Sequence, residues 1–353
     1  MKSSAAPITL NGSHGEGGSA LFRTALCVAG LTQQSLRIHN IRGATRRPGL
    51  TPEDLSFLLV LAQSCGAELE GDEVGSSAVN FNPQRMPRPV NAVVDVQANA
   101  SGQQPGNCLV VAEALLPVLS QAKGISALRL IGETYSNHSI TFDLLTHAIL
   151  RAHQQQGIFA QASMHSAGFG FAARGEVTIE IEPSVPQPIE WSSRGGLVQS
   201  RCIIAIGDLP MHIAERGASQ ARKLASDLGL DIEVDLVTVS TKSPGVFVSV
   251  FAEFERGMGS GGAMGQRGVR IEHVVQNAFN EFAEWFRTDA TVDPYLADQL
   301  LLPAVLAGAP STMKPSRLTR RLITMAWVIK QFLPVHVTIL GQEGEPGTVK
   351  IGP

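Results

Sequence analysis

The sequence predicts an α+β protein in which three stacked β-α-β-α-β-β repeats form a large domain, with a smaller α/β domain inserted between the second and third. Three observations lead there. Apolar spacing alternates between strand and helix periods in the same order twice over, and in part a third time. A segment with its own pattern interrupts that series, bracketed by the proline-rich PSVPQP and by TDATVDP. The chain has 353 residues, 44% of them apolar, enough to fill the core that stacked mixed layers require. The boundaries this implies are 1–186 with 288–353 for the large domain and 187–287 for the insertion.

The first repeat opens with a strand at Ile8–Leu10, a helix over Gly18–Leu31, a strand over Ser35–Ile41 and a helix over Pro52–Cys65, then short strands near Leu69 and Val79. The second follows with a strand at Ala92–Val96, a helix at Asn107–Gln121, a strand at Leu128–Ile131, a helix at Ser139–His153, and strands near Phe159 and at Val177–Ile181. The third shows helices at Tyr295–Leu306 and Leu322–Phe332 and strands at Val335–Leu340 and Thr348–Ile351. Inside the insertion a strand at Cys202–Ile206, a helix at Met211–Leu228, strands at Ile232–Val239 and Val246–Phe254 and a helix at Ile271–Phe286 are expected. Val275, Phe279, Phe282 and Phe286 share one face of that last helix. The stretch GMGSGGAMGQRG, Gly257–Gly268, is glycine-rich and flexible; a phosphate-cradling loop would not need twelve residues, so it reads as a mobile connector within the insertion, with Arg267 and Arg270 within reach of RNA.

Composition narrows the function. A net charge of −3 argues against a whole-surface nucleic-acid binder and leaves room for a local basic cleft. No apolar run has the ~20 residues that span a bilayer, and MKSSAAPITL lacks the features of a secretory signal, so a cytoplasmic protein without a membrane partner is expected. Cys27, Cys65, Cys108 and Cys202 lie far apart with no Cys-x-x-Cys pair, the pattern of buried free thiols.

Two loops carry candidate chemistry. In SHGEGGSALFR, Gly15, Gly17 and Gly18 let the backbone approach a ligand and present helix N–H groups to an anion. A plain tight strand-to-helix turn explains the same glycines. Glu16 can cap the helix or hold a metal ion beside phosphate. IRGATRRPGL gathers Arg42, Arg46 and Arg47 at a strand end, where guanidinium forks suit phosphate and where a solvated basic turn is the plainer alternative. With Arg23 they are expected to form one positive pocket.

GEGGSALFRTAL, IRGATRRPGL, RGGLVQSRCIIAIGDLPMHIAER and PYLADQLLLPAVLAGA, in this order over nearly the whole chain, resemble the RNA 3'-terminal phosphate cyclase family. The resemblance implies ATP-dependent conversion of an RNA 3'-phosphate to a 2',3'-cyclic phosphate: a histidine takes AMP from ATP, AMP passes to the RNA 3'-phosphate, and the neighbouring 2'-OH displaces it. The implied cofactors are ATP and Mg2+, and the implied partner is an RNA 3' end with a terminal phosphate. By motif, Glu16 would sit with the metal and phosphates. Arg23, Arg42 and Arg46 would hold the RNA phosphate. Tyr295, Leu296, Ala297, Asp298 and Gln299 would contact the nucleotide.

The departures cluster at the same place. Where the family's nucleophilic histidine begins a helix, this chain reads Arg321-Leu322-Ile323-Thr324-Met325, and no histidine lies between His273 and His336. Arginine stays protonated to a pKa above ~12 and has no lone pair to offer. Glu113 stands where relatives carry glutamine, which would bring negative charge near ATP. Ala173, Arg174 and Gly175 replace a glycine triplet, and Asn11 and His14 replace the usual acid and glutamine of the first loop. His14 is the alternative nucleophile or acid–base group. Three readings follow: a cyclase-like protein that holds phosphate-terminated RNA ends without the histidine-adenylate step, an active cyclase with a displaced nucleophile, and an enolpyruvyl-transferase-like enzyme of similar repeat architecture.

Overall fold

A computed structural model describes residues 6–98, 100, 106–170 and 173–352. Phe171 and Ala172 of the GFGFAARGEV stretch and the first five residues of MKSSAAPITL lie outside them.

The first repeat is β1 (Ile8–Asn11), α1 (Ser19–Thr32), β2 (Leu36–His39), α2 (Pro52–Cys65), β3 (Glu68–Glu70) and β4 (Ala78–Asn82). Its sheet has the order β1-β2-β4-β3, with β1 and β2 parallel, as a helical crossover requires, and the other pairs antiparallel. Leu36 and Ile38 point into the core while Arg37 and His39 point out, the alternation visible in the sequence. Thr51 caps α2 by accepting the Asp54 N–H at 3.2 Å, Pro52 occupies its first turn, and Gly66 ends it at φ +58°.

The second repeat is β5 (Asn91–Asp95), α3 (Leu109–Leu119), β6 (Ser126–Gly132), α4 (Phe142–Leu144), a π turn at Leu145–Ile149, α5 (Leu150–Gln155), β7 (Ala160–Ser166) and β8 (Gly175–Ile181), in the sheet order β5-β6-β8-β7. The third begins with β9 (Glu190–Trp191), ahead of the interrupting unit. Glu190 and Trp191 pair in parallel with Thr312 and Met313 of β14. With α8 (Pro294–Leu306), β14 (Ser311–Met313), α9 (Arg320–Ile329), β15 (His336–Leu340) and β16 (Thr348–Gly352), the order β15-β16-β14-β9 repeats the same topology. Helices α1, α2, α3, α8 and α9 pack together over these sheets around one core that includes Phe22, Phe57, Leu115 and Leu300.

The interrupting unit contains β10 (Leu197–Gly207), α6 (Met211–Asp227), β11 (Glu233–Thr238), β12 (Gly245–Phe254), β13 (Gly257–Met264) and α7 (Ile271–Phe286), with the sheet order β11-β10-β12-β13. Its core of Ile204, Val248, Val250, Val275, Phe279 and Phe282 is separate from the large one. Here the structure corrects the reading of GMGSGGAMGQRG as a connector: Gly257–Met264 is a full strand paired with β12. Its glycines make room for α7. A Cβ at Gly259 would fall 2.2 Å from the Trp285 ring, and one at Gly261 2.4 Å from the Phe282 backbone nitrogen. All four cysteines are buried and free, as read. Among the described residues no helix is long and apolar enough to cross a membrane.

Candidate functional site

The glycine loop after β1 docks on α9, more than three hundred positions away in sequence. Gly15 and Gly17 both take φ +62°, a conformation that side-chain-bearing residues avoid. The Glu16 N–H donates to Thr324 Oγ1 at 2.9 Å, and a Cβ at Gly15 would lie 2.2 Å from that same oxygen. The His14 ring stacks on Trp327 at 3.7 Å with a 24° tilt. The loop therefore lies along the helix whose first turn carries Arg321. Glu16 Oε1 is buried and has no hydrogen-bond partner among the described residues. A lone carboxylate oxygen without a partner is the kind of oxygen ligand that Mg2+ takes, its remaining ligands coming from phosphate and water. Among the described residues no cluster of three metal-ligating side chains offers an all-protein cage.

The arginines do not form one positive pocket. Arg23 Nε pairs with Asp54 Oδ1 at 2.8 Å, its Nη2 lies 3.5 Å from Glu53 Oε2, and the Asp54 side chain is wholly buried. Arg42, at φ +52°, donates from Nη1 to Ser19 Oγ at 3.2 Å, and that hydroxyl donates to Asp54 Oδ2 at 2.7 Å. Glu53 Oε1 accepts the Asn107 N–H at 2.6 Å. Two acids from the first turn of α2 thus hold Arg23 in place, the arrangement a buried guanidinium needs. Arg42 differs: its Nε is buried with no partner among the described residues. With Arg47, Glu53, Asn107, Ser136 and Met264, Arg42 lines a cleft of about 400 Å³ between the first two repeats and the interrupting unit. Arg46 is exposed and is not part of that lining.

Helix α8 supplies the next layer. Asp293 caps it, accepting the Tyr295 and Leu296 N–H groups at 2.9 and 2.8 Å, and its other oxygen accepts the Ser260 N–H and hydroxyl of β13 at 3.0 Å each. Leu296 and Ala297, expected at the nucleotide, are buried in the large core instead, because the inner face of α8 packs there. Asp298 Oδ1 accepts from Thr319 Oγ1 at 2.9 Å, and its Oδ2 lies 3.4 Å from Arg321 Nε. Burial pushes the Asp298 carboxyl up to about 7 against the pull of Arg321. Burial likewise raises Glu113, with Arg321 and Arg23 opposing, so the acid that stood out in the sequence faces two guanidinium groups.

Arg321 and Gln299 are common to two cavities. One, of about 40 Å³, is lined by Arg23, Cys27, Glu113, Asp298 and Met325 as well. The other, of about 110 Å³, lies between the Ser136–Leu144 segment, β12, β13 and Tyr295. Gln299 Oε1 is buried without a hydrogen-bond partner among the described residues, while Tyr295 is half exposed. An unpaired acceptor among serine and threonine hydroxyls fits the amino and hydroxyl groups of a nucleoside. Sequence reasoning missed Glu53, Asp54, Thr324 and Trp327. The only signal for the acids was their place in a helix's first turn, where a local role already explains them.

The RNA 3'-terminal phosphate cyclase family matches residues 14–339. The RNA 3'-terminal phosphate cyclase of Methylococcus capsulatus is 31% identical, covering 98% of this chain and 96% of its own. Those of Nostoc punctiforme and Thermococcus onnurineus are both 32% identical, over 92% of this chain and 94% of theirs and over 98% of each, respectively. Among solved structures, the enolpyruvyl transferase NikO from Streptomyces tendae covers 50% of this chain and 33% of its own at 16% identity and a TM-score of 0.26, too slight a likeness to argue from. On the family match and the full-length relatives together, the chain belongs to the RNA 3'-terminal phosphate cyclase family.

Proposed function

We propose that this chain holds phosphate-terminated RNA ends in the Arg42–Arg47 cleft and does so without passing AMP through a histidine. The observation that carries the reading is Arg321. In the first turn of α9, at the wall shared by both cavities, stands a guanidinium paired with Asp298. Such a group has no lone pair with which to displace pyrophosphate from ATP. It can orient and neutralise a phosphate.

In this reading Arg42, whose Nε lacks a partner among the described residues, and Arg47 grip the terminal phosphate. Arg23, tied to Asp54 and Glu53, acts behind them by fixing Ser19 and α2. Glu16 would hold Mg2+ beside the phosphate, where the ion supplies charge neutralisation. Gln299 and Tyr295 would receive the nucleoside part of ATP. The test is a titration of oligonucleotides that differ only in a 3'-phosphate or 3'-hydroxyl. The phosphorylated end should bind at least about tenfold more tightly, the equivalent of about 1.4 kcal/mol for a charge-assisted contact. Arg42→Ala should erase the difference, and equal affinities for both ends in the unmodified protein would reject the reading.

One observation favours a second reading. The His14 ring is exposed and held flat against Trp327 on the helix that carries Arg321. An imidazole fixed in this way can serve as a displaced nucleophile. Transfer of label from ATP to the protein that disappears in His14→Ala would select it.

A further inference from the structure

We infer that the RNA strand leaving the cleft runs over the turn between β13 and α7, with Arg267 and Arg270 contacting phosphates on the 5' side of the held end. The inference rests on the reading that the Arg42–Arg47 cleft takes the terminal phosphate, and it assigns a role to the interrupting unit, which that reading leaves without one.

How the interrupting unit is fixed decides where this turn lies. The C-terminal ends of β10, β11 and β13 and the N-terminal end of β12 lie at one end of its sheet. That end is fastened to the second repeat. The Ala167 N–H donates to the Ser240 carbonyl at 2.7 Å, the Met264 N–H donates to Asn137 Oδ1 at 3.1 Å, and Tyr135, Ala167, Ala205, Val239 and Phe247 form a small core between the two units. Met264, the last residue of β13, is itself a wall of the cleft. The chain that leaves this wall, residues 266–270, is exposed throughout. At its apex Gly268 takes φ +83° with open space around its Cβ position, so the turn stands clear of the body of the protein.

Arg267 and Arg270 have no ion pair among the described residues, whereas nearby Arg216 is paired with Glu272 at 2.6 Å. Arg42 and Arg47 line the cleft on the first repeat, and Arg267 and Arg270 follow its Met264 wall by three and six positions, in a chain whose net charge is −3. Exposed guanidinium groups on the chain that leaves a phosphate-holding cleft suit the backbone of a single strand, whose charge recurs at every nucleotide. The sheet end from which the turn departs is fastened to the second repeat, so the turn starts beside the cleft wall.

The test compares a 3'-phosphorylated dinucleotide with a 3'-phosphorylated dodecanucleotide by fluorescence anisotropy over a range of salt, using the full chain. For Arg267→Glu with Arg270→Glu, and more mildly for the two alanine substitutions, affinity for the dodecanucleotide should fall by about tenfold or more. The slope of log K against log salt should shrink by about 1.4, from two single-strand phosphate contacts. Binding of the dinucleotide should not change. Arg222→Glu with Lys223→Glu, exposed on α6, should leave both oligonucleotides unaffected and so exclude a mere net-charge effect. Unchanged dodecanucleotide affinity and salt slope in both Arg267/Arg270 variants would overturn the inference. If the unmodified protein binds the dodecanucleotide regardless of its 3' group and the variants still lose it, the end-holding reading fails while this strand path stands. If it binds neither oligonucleotide, both fail.

Discussion

The chain has two glycine-rich stretches, and they do opposite things. In the loop after β1, Gly15 and Gly17 are there for conformation: both take φ +62°, and between them Glu16 offers a buried carboxylate oxygen with no partner among the described residues. In β13 none of Gly257, Gly259, Gly261 and Gly262 has positive φ. They are there for space, so that Trp285 and Phe282 of α7 can lie directly on the strand. Glycine content alone marks a close approach. What approaches, a ligand or the protein's own helix, depends on the partner across the gap.

The largest effect that would break this comparison is in β13. Gly259→Ala and Gly261→Ala each place a Cβ inside the van der Waals radius of α7 atoms that have no room to retreat. Each should cost about 2–3 kcal/mol by overpacking, read as a fall in the midpoint of thermal or denaturant unfolding. Tolerance of both would mean that the strand has slack and that its glycines serve some other end.

Gly15→Ala should cost less, about 1–3 kcal/mol, through an unfavourable φ and contact with Thr324 Oγ1. Pairing it with Thr324→Ala sharpens the contrast. Removing the hydroxyl relieves the contact but also removes the acceptor of the Glu16 N–H, so the two substitutions should be less than additive in unfolding free energy. Strict additivity would detach the loop from α9.

Beyond substitutions, stability should depend on pH. Asp298 titrates at about 7 in the folded chain, well above its unfolded value, because burial penalises its charged form. The folded state then holds the proton more tightly than the unfolded one. This contribution is full below the unfolded pKa and is lost as pH rises toward about 7, by at most about 1.4 kcal/mol per pH unit. Asp298→Asn should flatten that part of the stability–pH curve, and an unchanged slope would show that Arg321 keeps the carboxylate ionised throughout.

These regions differ as much in how legible they were. The β-α-β-α-β-β order could be read because α1, α2 and α9 carry helical apolar spacing and β2 and β8 alternate. β9 and β14 were missed, since two and three residues are too few to show a period. β13 was missed because a strand of glycines has no side chains to alternate. At the site, Arg42, Glu16 and Arg321 stood out as residue types in an unusual setting. The partners of Arg23 did not, because Asp54 is thirty-one positions away and its burial is a property of three helices meeting.

On the function proposed above, Arg321 leaves a site that holds an RNA end and carries no AMP. Intact-mass measurement of the purified chain after incubation with ATP and Mg2+, alongside Arg321→His, tests it most directly. The proposed function predicts no added mass on the unmodified chain, and no cyclic phosphate product from Arg321→His alone, since Glu113 still lines the cavity beside residue 321. A covalent adenylate on the unmodified chain would contradict it.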